Sequence, residues 1–269
     1  MILRIFVLVL LATSVSGCLK TFSNLHVKRD GSAVLRDSIY LMESIRESGP
    51  PSADSLVIFQ KKLDSMALKN AADLGPNVTV RSTRIINESN PTGWVTEYNI
   101  PSINDLALRR NRTMKMVGGE AMAGMTTQEE QPSDEPMRFS YSSGLLEITN
   151  PPAPKSTQPV EKSKPQTKEE INMAIDMMQT FMGGLRIALS VSVDPPLLST
   201  NAQSVTGSTI TIMDVDFDNL MKVWRKNPKL FKKMQGTHPG DPAGLQKAMK
   251  SLPKGTLTFE TREKIVVKF

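Results

Sequence analysis

Apolar and polar positions alternate over residues 20–28 and again over 33–41, with Asp30-Gly31 between the two runs. Period-two alternation puts every second side chain on one face, and an Asp-Gly pair favours the tight turn of a hairpin. The two runs therefore predict paired antiparallel strands. From residue 52 the period changes. Leu56, Phe59, Leu63, Met66, Ala67 and Ala71 recur at helical spacing, which predicts an amphipathic helix over 52–74 that Gly75-Pro76 ends. Strands are expected near 77–86 and 94–100, joined by the turn-rich 87–93, and Asn104-Asp105-Leu106 starts a short helix or turn.

Residues 109–135 have no clear period and read as an irregular excursion. A second hairpin is expected at 137–141 and 145–149, turning at Ser143-Gly144. The next helix, 169–182, carries Ile171, Ala174, Ile175, Met178 and Phe181 on one face. Strands follow near 185–193 and 208–215, then helical pieces near 217–225 and 242–251, then strands at 255–260 and 264–269. Each half thus runs hairpin, helix, strand, strand. The fold class is α+β, with mainly antiparallel sheets built from hairpins and helices packed on one face, and the element order allows two similar ββαββ halves. The halves span 18–150 and 169–269 and are expected to pack together.

Between them, residues 151–168 are rich in proline, lysine, serine, threonine and glutamine, a composition for a flexible linker or long loop. Limited proteolysis should cut there before it cuts within 53–74, because such a composition cannot bury a core. Early cleavage inside that helix would overturn the division.

The first residues say where the protein goes. Arg4 precedes the unbroken apolar run 5–12, and Ser14, Ser16 and Gly17 follow. One charge, a short apolar stretch and small residues are the layout of a secretory signal peptide over 1–17, well short of the roughly 20 residues of a spanning helix. Val15-Ser16-Gly17-Cys18 resembles the lipobox of bacterial lipoprotein signals. That resemblance implies cleavage before Cys18, a lipidated thiol there and palmitate-type acyl chains as the anchor. The alternatives are an ordinary signal peptide, or eukaryotic secretion with glycosylation at Asn77, Asn87 and Asn111. Cys18 is the only cysteine of the 269 residues, and exported proteins usually pair theirs as disulfides, so a lipidated cysteine fits best. By the sorting rule of two-membrane bacteria, Leu19 after it favours the outer membrane. No later run reaches spanning length, which leaves lipid as the expected anchor.

Composition narrows the chemistry. With 39% hydrophobic and 22% charged residues and a net charge of +6, the chain is an ordinary globular one with a mild basic excess. Outside the cytoplasm that excess points to anionic lipid rather than nucleic acid. Asp214-Val-Asp-Phe-Asp218 opens like a calcium loop, but Asn219 stands where the sharp turn needs glycine and Arg225 where a bidentate glutamate belongs. Asp218 is expected to cap the next helix, with Asp214 and Asp216 on a solvent face. Met173, Met177, Met178 and Met182 could suggest copper, yet their spacing beside Ile171 and Ile175 favours core.

His26 and His238 are the only histidines, too few for a multi-histidine zinc site, and thiolate metal sites are excluded as well. A hydrolase would have to use one of them, with His238 the better placed because it lies in a loop. No Gly-x-Ser-x-Gly elbow or phosphate loop accompanies either. The basic run 222–233, with Trp224, Leu230 and Phe231, could lie on a bilayer. A solvated helix with its apolar residues turned inward is the simpler expectation. Catalytic, cofactor and metal residues are therefore all expected to be none.

One internal stretch adds a family. Residues 185–193, Leu198-Ser-Thr-Asn-Ala202 and the run 205–212 resemble the mycobacterial LppM-like envelope lipoproteins, as do 98–106 and 139–151. Coverage is about 19–150 and 170–221. The resemblance implies an envelope domain that binds lipid or glycolipid, with no catalytic residues. The tail 222–269 and the lack of a C-terminal membrane helix depart from it. The expected function is a non-enzymatic envelope lipoprotein binding a lipid, glycolipid or partner protein; the alternatives are an assembly or structural factor, or a hydrolase using His238. Asn201, between two apolar strands, is expected to set their turn through a left-handed backbone.

Overall fold

The computed structural model describes residues 19–41, 52–87, 92–110, 112, 135–151, 167–235, 242–253 and 255–269. Cys18, His238 and residues 152–166 of the expected 151–168 linker lie outside them, while Thr167 and Lys168 of that linker cap and open a helix. The order is β1 (Leu19–Val27), β2 (Ala33–Leu41), α1 (Ala53–Leu74), β3 (Thr79–Ile86), β4 (Gly93–Ile100), a 3-10 turn (Ile103–Asp105), β5 (Ala107–Leu108), β6 (Met137–Ser142) and β7 (Leu145–Thr149). Then come α2 (Lys168–Met182), β8 (Arg186–Val193), β9 (Ser199–Thr200), β10 (Val205–Thr206), β11 (Thr209–Asp216), α3 (Phe217–Lys226), α4 (Pro228–Gln235), α5 (Pro242–Met249), β12 (Leu257–Phe259) and β13 (Lys264–Lys268).

The class is α+β. One sheet runs β10-β11-β8-β1-β2-β4-β3, with β12 paired to β11, and a second runs β5-β6-β7-β13-β9. Alternation explains both hairpins of the first half. Leu19, Thr21, Ser23, Leu25 and Val27 of β1 are buried, and they pair with Leu41, Ile39, Asp37, Leu35 and Ala33 of β2. The apolar phases thus fall on one face. Gly31 takes φ 81 in the turn, a left-handed conformation that glycine adopts without strain. A Cβ there would lie 2.8 Å from the ring of Tyr141, whose hydroxyl donates to Arg29 O at 2.6 Å, so the first hairpin is fastened to the second sheet.

The inward face of the larger sheet meets the smaller sheet and α1. Leu25, Leu35, Ile100 and Val191 share one core with Met137, Ile148, Ile265 and Val267, and with Ala67, Ala71 and Leu74 of α1. Ser52 caps α1 by accepting from Ser55 N at 3.2 Å. A second apolar cluster joins the later helices through Ile171, Ile175, Leu220, Met221, Trp224, Phe231 and Leu252. The helices therefore divide, with α1 on the sheet core and α2 to α5 largely on one another.

The two halves do not repeat each other's pairing. In the first run of hairpin, helix, strand and strand, β1–β2, β3 and β4 all enter the larger sheet, whereas in the second β6–β7 enters the smaller one and β8 and β11 join the larger. β8 pairs with β1 in parallel, from Lys20–Arg186 to Val27–Val193. Local hydrophobic periodicity does not encode that long-range choice.

Asn201 corrects the turn expectation. Among the described residues, positive φ at non-glycine positions falls on Asn87 and Ser143 instead. Asn201 works through its side chain: Oδ1 accepts from Val266 N at 2.8 Å and Nδ2 donates to Lys264 O at 3.1 Å. It imitates a strand residue and holds β9 to β13, not β8 to β11. Asn201→Gly and Asn201→Val should each cost about 1 kcal/mol through the lost hydrogen bonds. Thermal melts check this, and a glycine variant as stable as the parent would return the role to backbone geometry.

Candidate functional site

The inward face of the larger sheet is apolar except at its centre. Thr21 and Ser23 of β1, Asp37 of β2 and Thr96 of β4 are all buried there. Ser23 Oγ donates to Asp37 Oδ1 at 2.7 Å, and Thr96 is the cross-strand partner of Asp37. A buried carboxylate needs a counter-charge. Arg112 supplies it, with Nη1 2.8 Å from Asp37 Oδ2 and side-chain exposures of 11% and 3%. The guanidinium also lies 4.9 Å from the ring centroid of Tyr98, a cation–π contact strengthened by burial.

The cluster is rich in donors. Among the described residues, Arg112 Nε and Nη2 and Thr21 Oγ1 are buried without a hydrogen-bond partner, and Asp37 Oδ2 meets Arg112 as an ion pair but accepts no hydrogen bond; the Tyr98 phenol has Asn70 and Arg112 as its polar neighbours. Burial pushes the Tyr98 phenol up, outweighing the Arg112 charge that pulls it down, so the phenol stays neutral and can donate. Each unmet buried donor costs ~1–3 kcal/mol.

Arg110 anchors the same stretch elsewhere. It lies 5.2 Å from the Phe259 ring centroid, its Nη2 donates to Glu260 O at 3.4 Å, and burial pulls its guanidinium down while the Glu260 carboxylate opposes that. Glu260 is itself buried and accepts from Gln203 N at 2.7 Å and Arg262 N at 3.0 Å. Arg110 and Arg112, read from sequence as part of an irregular excursion, are thus held at the Glu260 main-chain carbonyl and the Asp37 carboxylate.

The opposite face carries His26. Its Nδ1 lies 3.1 Å from Ser192 Oγ and its Nε2 3.2 Å from Asp194 Oδ1. Ser, His and Asp together invite comparison with a hydrolytic triad. The proton bookkeeping points elsewhere. Ser192 Oγ donates to Asn24 Oδ1 at 3.2 Å, so its hydrogen is directed away from the imidazole. Asp194 Oδ2 also accepts from Arg29 N at 3.0 Å. The row Asn24–Ser192–His26–Asp194 cross-links the parallel pair β1–β8.

The aspartate run holds other partners than expected. Asp216, not Asp218, caps α3 by accepting from Asn219 N at 3.0 Å. Asp218 accepts from Gly184 N at 2.9 Å and Gln179 Nε2 at 3.1 Å. Asp214 takes Arg186 in two contacts of 3.0 and 2.8 Å, which raises the guanidinium's pKa. Among the described residues no three His, Cys, Asp or Glu are grouped to hold a metal.

Of the methionines, Met178 packs in the helical cluster, but Met173 and Met177 are exposed, a correction to the core expectation. In the run 222–233, Trp224 and Phe231 are buried with rings 5.1 Å apart, and Lys222, Arg225 and Lys226 are exposed. Among the described residues no helix is long and apolar enough to cross a membrane.

No protein-family model matches this chain, and no curated protein matches it. The NMR structure of the folded domain of the Mycobacterium tuberculosis LppM protein is similar over 94% of this chain and 91% of that one, at TM-score 0.30 and 9% identity. A likeness of that strength establishes neither ancestry nor activity.

Proposed function

We propose that the chain is a non-enzymatic cell-envelope lipoprotein, anchored through lipid on Cys18, that binds an amphiphilic lipid or glycolipid against the Arg112 cluster. The observation that carries this is the buried Arg112 guanidinium, whose Nε and Nη2 have no hydrogen-bond partner among the described residues, beside a core of apolar sheet faces. A phosphate, carboxylate or sugar oxygen would accept from the guanidinium, and the apolar surroundings suit a hydrocarbon chain. The competing reading is an assembly or structural lipoprotein, in which the Arg112–Asp37 pair is only a clamp.

The test is the lipid recovered from the purified full-length protein. The parent should release an amphiphile near one per chain, and Arg112→Met should lose it. Because that variant leaves Asp37 without its counter-charge, Asp37→Leu combined with Arg112→Met serves as the folded control and should be empty too. Equal lipid in all three would overturn the site, and none in the parent would favour the clamp.

A further inference from the structure

The end of the larger sheet at which β1 begins combines three features. First, the chain leaves no spacer before it. Leu19 is buried at 5% exposure and already paired with Leu41, and Cys18 lies one peptide, ~3.8 Å between Cα atoms, before it. An acyl group on Cys18 therefore holds this end of the domain against the bilayer.

Second, apolar side chains are exposed at that same end. Gly93 of β4 pairs with Tyr40 and with Ile86 of β3, so both neighbouring strands reach it. The start of α1 is placed there too, because Phe59 packs edge-on to Trp94 at 5.8 Å. Val57 is 54% exposed, Ile58 68% and Tyr40 37%. Leu68, also exposed, lies ten residues further along α1, ~15 Å away at 1.5 Å per residue, and a single exposed apolar residue is ordinary.

Third, the charge there suits anionic head groups. Lys20, Lys61 and Lys62 are exposed and outnumber the exposed Asp54 of the first turn of α1, whereas Arg186, level with Lys20 on β8 and stacked over Phe22 at 5.4 Å, already has its charge paired with Asp214. Aromatic and aliphatic side chains with cations beside them are the composition of a bilayer-interface contact.

We infer that this end of the domain is a membrane-apposed surface, with Val57 and Ile58 entering the head-group region of an anionic bilayer and Lys20 on its phosphates. The inference rests on the Cys18 anchor proposed above and adds an orientation to it. The opposite end of the sheet, at the β10–β11 turn and exposed Thr206, points away from the membrane.

The experiment uses the full-length acylated protein in vesicles of phosphatidylethanolamine and phosphatidylglycerol. Nitroxide labels are placed at Ile58→Cys or Thr206→Cys and read by power-saturation EPR. The label at 58 should be relaxed more by oxygen than by a water-soluble nickel complex, and the label at 206 the reverse. Intact mass confirms acylation in the same sample. Acylated protein with both labels equally aqueous overturns the orientation alone, whereas a Cys18 without acyl chains overturns the anchor and the orientation together.

Discussion

Asp37→Ala should be the most destabilising single substitution proposed for this protein. It removes the carboxylate that pairs with the buried Arg112 guanidinium and the oxygen that accepts from Ser23 Oγ. Removing one partner of a buried ion pair costs about 3–5 kcal/mol. At about 2–4 °C per kcal/mol for a domain of this size, the melting temperature should fall by roughly 6–20 °C. Asp37→Leu combined with Arg112→Met should restore most of the loss, because an apolar pair of similar volume avoids desolvating two charges. Thermal melts of the two variants decide it. A double variant as unstable as Asp37→Ala would show that the cluster is held by more than its charge balance.

Cys18→Ser should have the other large effect, on location rather than stability. A serine hydroxyl cannot take the thioether-linked diacylglyceryl group, so the variant should accumulate uncleaved or leave the membrane fraction. The reason is energetic as well as chemical: each buried methylene contributes ~0.8 kcal/mol, and two or three chains make the anchor stable. Fractionation and immunoblotting measure it. A correctly processed, membrane-bound serine variant would mean that something other than Cys18 holds the protein there.

The paired strands and long helices were readable because each has a buried face with its own period. The Asp30-Gly31 and Ser143-Gly144 turns behaved likewise, since both need left-handed backbone. β5, β9 and β10 were not read; the three strands are two residues long, and two residues carry no period.

The centre of the candidate site did leave a trace. Asp37 falls in phase with Ala33, Leu35, Ile39 and Leu41, and Thr21 and Ser23 in phase with Leu25 and Val27. A carboxylate on the inward phase of an apolar strand predicts a buried counter-charge. Its partner had no such signal, because Arg112 lies in a stretch without periodicity and pairs across 75 residues of chain. The His26 row was hidden for the same reason: it depends on β8 lying parallel to β1, with its members 166 and 168 residues apart.

Native mass spectrometry of the full-length protein, extracted from membranes in mild detergent, tests the proposed function most directly. The expected mass is that of residues 18–269 with two or three acyl chains on Cys18, together with one non-covalently held amphiphile that dissociates on activation. A chain of that length carrying neither acyl group nor bound amphiphile would contradict it.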